Sequence, residues 1–130
     1  MNIPEVLQRY SQAIADNNKE AWLDCFSDSP FLEHADPVGS PARSSRQEIG
    51  VFWDQLRGLF QEVRLDFDCC YGHQNEFVLH FTGRGTGVNG MPVVFPGIDV
   101  VRLDEGSKIV SLRAFWDAAP VMAVLTQGLS

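Results

Sequence analysis

The sequence predicts an α+β fold in which helices pack on one face of a curved antiparallel sheet. Apolar residues recur at helical spacing up to about residue 60, and from about residue 64 they alternate with a period of two. Glycines and an Asn-Gly pair between the alternating segments indicate the short turns of antiparallel strands. The helices therefore come first, and a ligand cavity is expected between them and the sheet.

The first helix is predicted from Pro4 to about Asp16. Proline suits the first position of a helix because its fixed φ is already helical. Leu7, Tyr10 and Ile14 recur on one face of this segment, so that face is expected to pack on the sheet.

A second, short helix is predicted after the polar break at residues 16–18. Asn18 suits its N-cap, and Trp22 and Phe26 are its apolar residues. Residues 31–35 are compatible with a short strand, and the Pro- and Gly-containing residues 36–41 predict a loop.

A third helix is predicted to begin with a capping box formed by Ser45 and Glu48. Its apolar face is expected to consist of five residues at helical spacing: Ile49, Phe52, Trp53, Leu56 and Phe60.

Four longer strands are expected after this helix. In the first of them the apolar face is predicted to be Leu65, Phe67, Cys69 and Tyr71. The second strand covers residues 76–82, and the glycines of residues 83–90 predict turns, with a hairpin at the Asn-Gly pair. The last two strands are expected near residues 91–103 and 108–116.

Size and charge exclude several classes of function. The chain has 130 residues, the size of one domain, and a net charge of −7 with scattered Lys and Arg. Nucleic acids and anionic membrane surfaces bind clustered basic residues, so neither is an expected partner. The sequence contains no apolar run long enough to span a membrane and no secretory signal pattern, so a cytoplasmic protein is expected.

Cysteine and histidine usage does not indicate a metal or redox site. An odd number of cysteines without a CxxC motif predicts reduced thiols at Cys25, Cys69 and Cys70. The histidines lack the close pairing of a zinc site; they are His34, His73 and His80. We expect neither a metal nor a cofactor.

Asp99 is the most informative residue because it lies inside the apolar run of residues 93–101. On a strand it shares a face with Phe95, Val101 and Leu103, where a carboxyl group loses hydration and its pKa rises. A neutral Asp can donate a hydrogen bond to a carbonyl oxygen that gains negative charge. The alternative is an edge-strand Asp that faces water.

Two further polar residues are candidates for the same cavity. Tyr10 lies on the apolar face of the first helix, so its hydroxyl is expected to point inward; the alternative is a core Tyr bonded to the backbone. Asp36 ends the short strand, and Pro37 with the turn at Gly39 restricts the backbone that aims its carboxylate. The alternative is an Asp that caps its own turn.

Four segments, in this order along the chain, together resemble the bacterial ketosteroid isomerases (steroid Δ5-isomerases). Residues 7–10 resemble the segment of that family that bears the oxyanion-hole Tyr, and residues 33–40 resemble the segment that bears the general base. Residues 96–99 resemble the segment of the protonated Asp, and residues 108–116 resemble the final strand. On this resemblance, residues 1–130 are identified as a single domain of the SnoaL-like or NTF2-like superfamily.

The resemblance implies a fold, a ligand and roles for three residues. The fold would be a cone-shaped NTF2-like roll, and the partners would be a small apolar ketone or steroid-like ligand and a second copy of the chain in a homodimer. Asp36 would remove a proton next to the ketone and return it two carbons away, while Tyr10 and a neutral Asp99 would stabilise the enolate. Five aromatic residues are candidates to line a ligand cavity, or else plain core: Phe52, Trp53, Phe95, Phe115 and Trp116.

Departures from the family pattern keep other functions open. Phe26 and Trp53 stand where some ketosteroid isomerases have additional tyrosines beside the catalytic one. His34 would share a strand face with Asp36, which makes it a second candidate acid or base. The superfamily also includes lyases, polyketide cyclases, hydrolases and non-catalytic ligand-binding domains, so its fold does not determine the reaction. Arg102 and Asp99 would face opposite sides of a strand, which disfavours the Asp–Arg–Asp arrangement of limonene epoxide hydrolase-like relatives.

Overall fold

In the computed structural model, which describes residues 2–129, helices pack against a five-stranded curved and unclosed sheet, as predicted. The helices are α1 (Glu5–Ala15), α2 (Lys19–Leu23), α3 (Arg46–Arg57) and α4 (Ala118–Leu125). The strands are β1 (Glu33–Ala35), β2 (Phe60–His73), β3 (Glu76–Gly87), β4 (Pro92–Leu103) and β5 (Ile109–Phe115). The strand order is β1-β5-β4-β3-β2, with β1 parallel to β5 and the other pairs antiparallel.

Helices α1 and α2 follow the sequence pattern with two differences. Pro4 is the N-cap of α1 rather than its first helical residue, and the inward face of the helix includes Leu7 and Tyr10. The side chain of Asn18 caps α2 by accepting a hydrogen bond from the Ala21 N–H at 3.0 Å. Phe26 lies beyond α2, contrary to prediction, because the chain there already pairs with β5.

The capping box at the start of α3 is present, with one difference. Ser45 Oγ accepts a hydrogen bond from the Glu48 N–H at 3.1 Å, whereas Glu48 Oε1 accepts from the Ser44 N–H at 3.0 Å. The prediction that Phe60 belongs to this helix is wrong: α3 ends at Arg57, and Phe60 begins β2. The C-cap is Gly58, and glycine is among the least favourable residues for continuing a helix.

The glycines of β3 mark close packing rather than turns. The predicted turns at Gly83 and Gly85 are wrong because β3 continues to Gly87. A Cβ atom at Gly83 would overlap the Phe95 ring, so glycine is needed there for the ring to lie across the strand. The hairpin at the Asn-Gly pair is confirmed, and Gly90 adopts a φ of +81°.

An irregularity in β2 changes which side chains face the core. The register with β3 shifts between Phe67 and Cys69. Phe67 and Cys70 therefore pack against the core, while Cys69 does not and the Tyr71 side chain is 70% exposed. The prediction that Cys69 and Tyr71 share the inward face is thus wrong. All three cysteines are free thiols, as expected.

Helix α4 was not predicted from the sequence. Its Val121 and Leu125 side chains are buried in a cluster with Phe60, Phe81 and Phe95, at one end of the sheet. The segment is short and almost wholly apolar, so it carries little helical periodicity to detect. None of the described helices is long and apolar enough to cross a membrane.

Candidate active site

A cavity between the helices and the sheet brings the three candidate polar residues together. Its cavity volume is about 80 Å³, and the empty space up to and including its open mouth is about 620 Å³. Tyr10 reaches it from the inward face of α1, Asp36 from the loop after β1, and Asp99 from the inward face of β4. The site is therefore narrow and assembled from three separate parts of the chain.

The walls of the cavity are aromatic and aliphatic. Four of the five predicted aromatic residues line it, namely Phe52, Trp53, Phe95 and Trp116. Phe115 does not, because it follows the strand alternation to the other side of the sheet, where it is 40% exposed and lies under the Arg113 guanidinium at 5.4 Å. The sequence analysis missed the remaining lining residues: Ile14, Trp22, Leu56, Arg57, Phe60, Val63, Leu65, Phe81 and Ala114.

The Asp99 carboxyl is buried, and hydrogen bonds do not fully replace the hydration that it loses. Its residue surface is 2% exposed, and Oδ2 has no hydrogen-bond partner among residues 2–129. Burial raises the pKa of this carboxyl well above its ordinary value, and the negative charge of Asp36 raises it further. The protonated form is therefore favoured, which gives the cavity an O–H donor.

Asp36 is also removed from water, but hydrogen bonding supports its charged form. Burial raises the pKa of Asp36 above its ordinary value, and the Trp116 indole and the Arg43 guanidinium reduce that rise without removing it. Trp116 Nε1 donates a hydrogen bond to Asp36 Oδ1 at 2.6 Å. Because Asp99 has no such donor, Asp36 is the carboxyl that ionises first.

Tyr10 is placed to act as a neutral hydrogen-bond donor. Burial raises its pKa well above the ordinary value of tyrosine, and the charges of Asp99 and Asp36 add to this effect, although the Trp22 indole opposes it. Its ring lies 6.2 Å from the Phe26 ring, at an edge-on angle. The resemblance aligns Phe26 and Trp53 with additional tyrosines of some ketosteroid isomerases, and of these two residues only Phe26 forms an aromatic contact with Tyr10.

His34 lies behind Asp36 and does not line the cavity. The residue is 0% exposed, and burial together with the Arg43 charge lowers its pKa to about 3, so it is neutral at pH 7. Arg43 Nη1 lies 3.4 Å from His34 Nδ1. Arginine only donates hydrogen bonds, so this contact assigns the lone pair to Nδ1 and the proton to Nε2.

The Nε2 atom of His34 lies 3.9 Å from Asp36 Oδ2, and it has no hydrogen-bond partner among residues 2–129. His34 and Asp36 therefore lie side by side, but they do not share a strand face as predicted, because β1 ends at Ala35 and only Asp36 lines the cavity. Since His34 is sealed from the cavity, it has no direct access to a ligand there, and any effect it has on chemistry acts through Asp36.

Two competing arrangements find no support in the described residues. Arg102 is exposed on the outer face of β4, opposite to Asp99, so the pair does not converge on one site. Within residues 2–129 there is also no group of three His, Cys, Asp or Glu side chains placed to hold a metal ion.

Comparisons with known proteins identify the family and the fold. The family model for a SnoaL-like domain matches residues 7–112. A Δ5-3-ketosteroid isomerase from Mycobacterium sp. has a TM-score of 0.76 and 19% identity, covering 87% of this chain and 91% of that chain.

Two other solved structures are similar to the same degree. SalBIII, an epoxide hydrolase/cyclase-like enzyme of pyran ring formation in salinomycin, has a TM-score of 0.76, 21% identity and coverage of 87% and 88%. An NTF2-like protein of unknown function from Burkholderia pseudomallei has a TM-score of 0.78, 20% identity and coverage of 94% and 95%. At these identities the structures show an NTF2-like fold.

Replacement of Asp99 by Asn tests the burial of its carboxyl. In the unfolded chain Asp99 ionises near its ordinary pKa of 3.8, but in the folded protein its pKa is much higher, so folding takes up a proton between these two values. The free energy of unfolding of the wild type therefore falls as pH rises through that interval. Asp99→Asn cannot ionise, so we expect its stability relative to the wild type to increase as pH rises above about 4.

Urea unfolding at a series of pH values measures this difference, with Asp28→Asn as the control because Asp28 is an exposed carboxylate. A stability difference for Asp99→Asn that stays constant with pH would show that the Asp99 carboxyl ionises normally in the folded protein.

Proposed function

This chain belongs to the SnoaL-like domain family, and we propose that within it the protein is a ketosteroid isomerase-like enzyme. It would move a carbon–carbon double bond into conjugation with a ketone. The observation that carries the proposal is the convergence on one apolar cavity of two carboxyls, of which Asp99 holds its proton more strongly than Asp36, together with a neutral phenol.

The proposed reaction uses one base and two hydrogen-bond donors. The Asp36 carboxylate removes a proton from the carbon between the ketone and the double bond. The electron pair of the broken C–H bond moves toward the carbonyl, whose oxygen becomes an enolate, and Tyr10 and neutral Asp99 donate hydrogen bonds to it. Asp36 then returns the same proton two carbons further along, so that atoms and electrons are conserved.

Magnitudes from other enzymes indicate how much rate enhancement such a base and such donors would supply. A positioned general base contributes roughly 10²–10⁴ in rate. One preorganised oxyanion donor contributes about 10²–10³, and more in a site that excludes water. The burial of Tyr10 and Asp99, at 3% and 2% exposure, provides such a site.

The shape of the cavity supports a flat, apolar ligand. Phe95 and Trp116 lie with ring centroids 5.3 Å apart, and Trp22 and Trp53 with ring centroids 4.8 Å apart. Each pair is packed ring against ring, so the cavity presents aromatic surfaces on which a planar, apolar ketone can stack, whereas a highly charged molecule would lose its hydration there. The fold likeness to a ketosteroid isomerase supports the same substrate class.

A second candidate is a lyase, polyketide cyclase or hydrolase that uses Asp36 on another substrate. The similarity to SalBIII, an epoxide hydrolase/cyclase-like enzyme, favours keeping it. Direct proton transfer by His34, which the sequence left open, is disfavoured because this ring does not line the cavity. A non-catalytic ligand-binding domain is the third possibility.

Asp36→Asn is expected to abolish isomerisation and to preserve ligand binding. Asn keeps the size of the side chain and can still accept a hydrogen bond from Trp116, but it cannot take the proton, so the rate falls by roughly 10²–10⁴ or more. The assay follows the ultraviolet absorbance of the conjugated enone formed from a Δ5-3-ketosteroid. Binding is measured separately with a phenolic steroid, which mimics the enolate and does not react.

The matched control is Asp28→Asn, an exposed carboxylate that should leave both readouts unchanged. Wild-type activity in Asp36→Asn would refute the role of Asp36. No turnover by the wild-type protein would refute the isomerase and favour the second candidate or, if no related substrate reacts, a binding domain.

We further propose that a second copy of the chain covers the outer face of the sheet. Four large apolar side chains are exposed on that face: Tyr71 at 70%, Val78 at 40%, Val94 at 65% and Phe115 at 40%. Burial of such a patch in a homodimer removes apolar surface from water. Light scattering should give twice the chain mass of 14.5 kDa, and a single-chain mass at all concentrations would contradict the proposal.

A further inference from the structure

Arg57 is the single Lys or Arg among the described residues that line the cavity. It lies in the last turn of α3, one helical turn after Trp53, and its side chain is half-buried. The mechanism proposed above does not use it. A guanidinium at the wall of a mainly apolar cavity needs a physical reason, because its burial costs hydration.

The guanidinium is only partly satisfied by the protein. Nη1 donates a hydrogen bond to the Phe60 carbonyl at 3.0 Å, which joins the end of α3 to the start of β2. Nε is buried without a hydrogen-bond partner in residues 2–129, and no carboxylate of those residues forms an ion pair with Arg57. Asp54, on the same helix, is paired instead with Lys19 at 2.9 Å.

Two donor atoms of the Arg57 guanidinium are not used by the protein. With Nη1 directed to the backbone, Nε and Nη2 have no acceptor among residues 2–129. These two donors have the geometry of the side-on fork that binds both oxygens of a carboxylate, and a turn of the side chain toward the cavity would uncover the buried Nε. The helix connection requires only Nη1, so it does not explain the buried and unpaired Nε.

Arg57 lies at the end of the cavity away from the proposed oxyanion site. The Trp22 ring is 5.9 Å from the Tyr10 ring and 4.8 Å from the Trp53 ring, and Arg57 follows one turn beyond Trp53. The strands give the same order, because Asp99 pairs with Leu79, whereas Phe60 pairs with Gly87 at the far end of β3.

We propose that Arg57 binds a carboxylate at the end of the substrate distal to the ketone, so that the substrate is an elongated apolar keto acid. The position of the ketone at Tyr10 and Asp99 rests on the proposed function. One substrate molecule would then contact the neutral donors Tyr10 and Asp99 at its ketone and the Arg57 guanidinium at its carboxylate.

The test compares two phenolic steroids that differ only in carrying a carboxylate or a carboxamide on the ring farthest from the phenol. Calorimetry measures the binding of both ligands to the wild type, to Arg57→Gln and to Arg46→Gln. Gln at residue 57 keeps an N–H donor for the Phe60 carbonyl but removes the charge. Arg46 is a matched control because its side chain is 41% exposed and donates to the Leu23 carbonyl, outside the cavity.

The wild type should bind the carboxylate about tenfold to a hundredfold more tightly than the carboxamide, as expected for charge-assisted hydrogen bonds. Arg57→Gln should remove this preference, and Arg46→Gln should retain it. If Arg57→Gln does not fold, Arg57→Lys serves instead, because it keeps the charge, loses the fork and should show a reduced preference.

The proposal is overturned if the wild type shows no preference for the carboxylate, or if Arg57→Gln or its substitute keeps the preference in full. These outcomes are separate from those of the proposed function. Isomerisation of a neutral ketosteroid without any preference for the acid would leave the isomerase and refute the role of Arg57. A preference that depends on Arg57 without any turnover would leave the acid site and refute the isomerase.

Discussion

The desolvation of Asp99 is the constraint on which the rest of the site depends. A carboxyl group at 2% exposure, with one oxygen unpaired, cannot ionise without leaving a charge in an apolar cavity. Its position follows from strand alternation on β4, which places it on the inward face with Phe95 and Val101. The helices cover most of the space above that face.

Asp36, the second carboxyl of the cavity, has polar neighbours that Asp99 lacks. Trp116 donates to Asp36 from the residue after β5, and Arg43 reaches the same region through the loop that pairs with β1. These contacts reduce the effect of burial without cancelling it, so the pKa of Asp36 is raised less than that of Asp99. Two groups of one chemical type therefore hold the proton with different strength, and the proposed mechanism uses this difference to assign a base and a donor.

His34 is a further residue that affects Asp36, because it lies behind that carboxyl on the side away from the cavity. The contact from Arg43 fixes the proton on Nε2, which faces Asp36 Oδ2 at 3.9 Å from behind the cavity. At this separation it is not a direct hydrogen bond, but a shift of the carboxylate toward the ring would bring the two groups into hydrogen-bonding range. The orientation of Asp36 is thus bounded by an indole on one oxygen and an imidazole near the other.

Much of the architecture could be predicted because local patterns and tertiary structure agree. The helical spacing of Leu7 and Tyr10 and the capping box at Ser45 have local causes, and so does the alternation around Asp99. The failures arise where long-range packing overrides the local pattern. In the sequence Gly83 indicates a turn, whereas in the structure glycine is needed because the Phe95 ring lies across the strand at this residue.

Three further differences have the same origin. The irregularity that turns Cys69 and Tyr71 outward depends on pairing with β3. Helix α4 forms by packing of apolar residues such as Val121 rather than through a polar and an apolar face. Arg57 belongs to the cavity only because α3 ends there and directs its side chain over β2, and no motif around it indicates this.

The central claim is that the two cavity carboxyls hold opposite protonation states at neutral pH. Infrared spectroscopy of the wild type, with Asp99→Asn and Asp36→Asn as references, measures this directly, because protonated and ionised carboxyls absorb at different frequencies. The account predicts a protonated-carboxyl band that disappears in Asp99→Asn and remains in Asp36→Asn. Absence of an Asp99-dependent protonated band at neutral pH would contradict it.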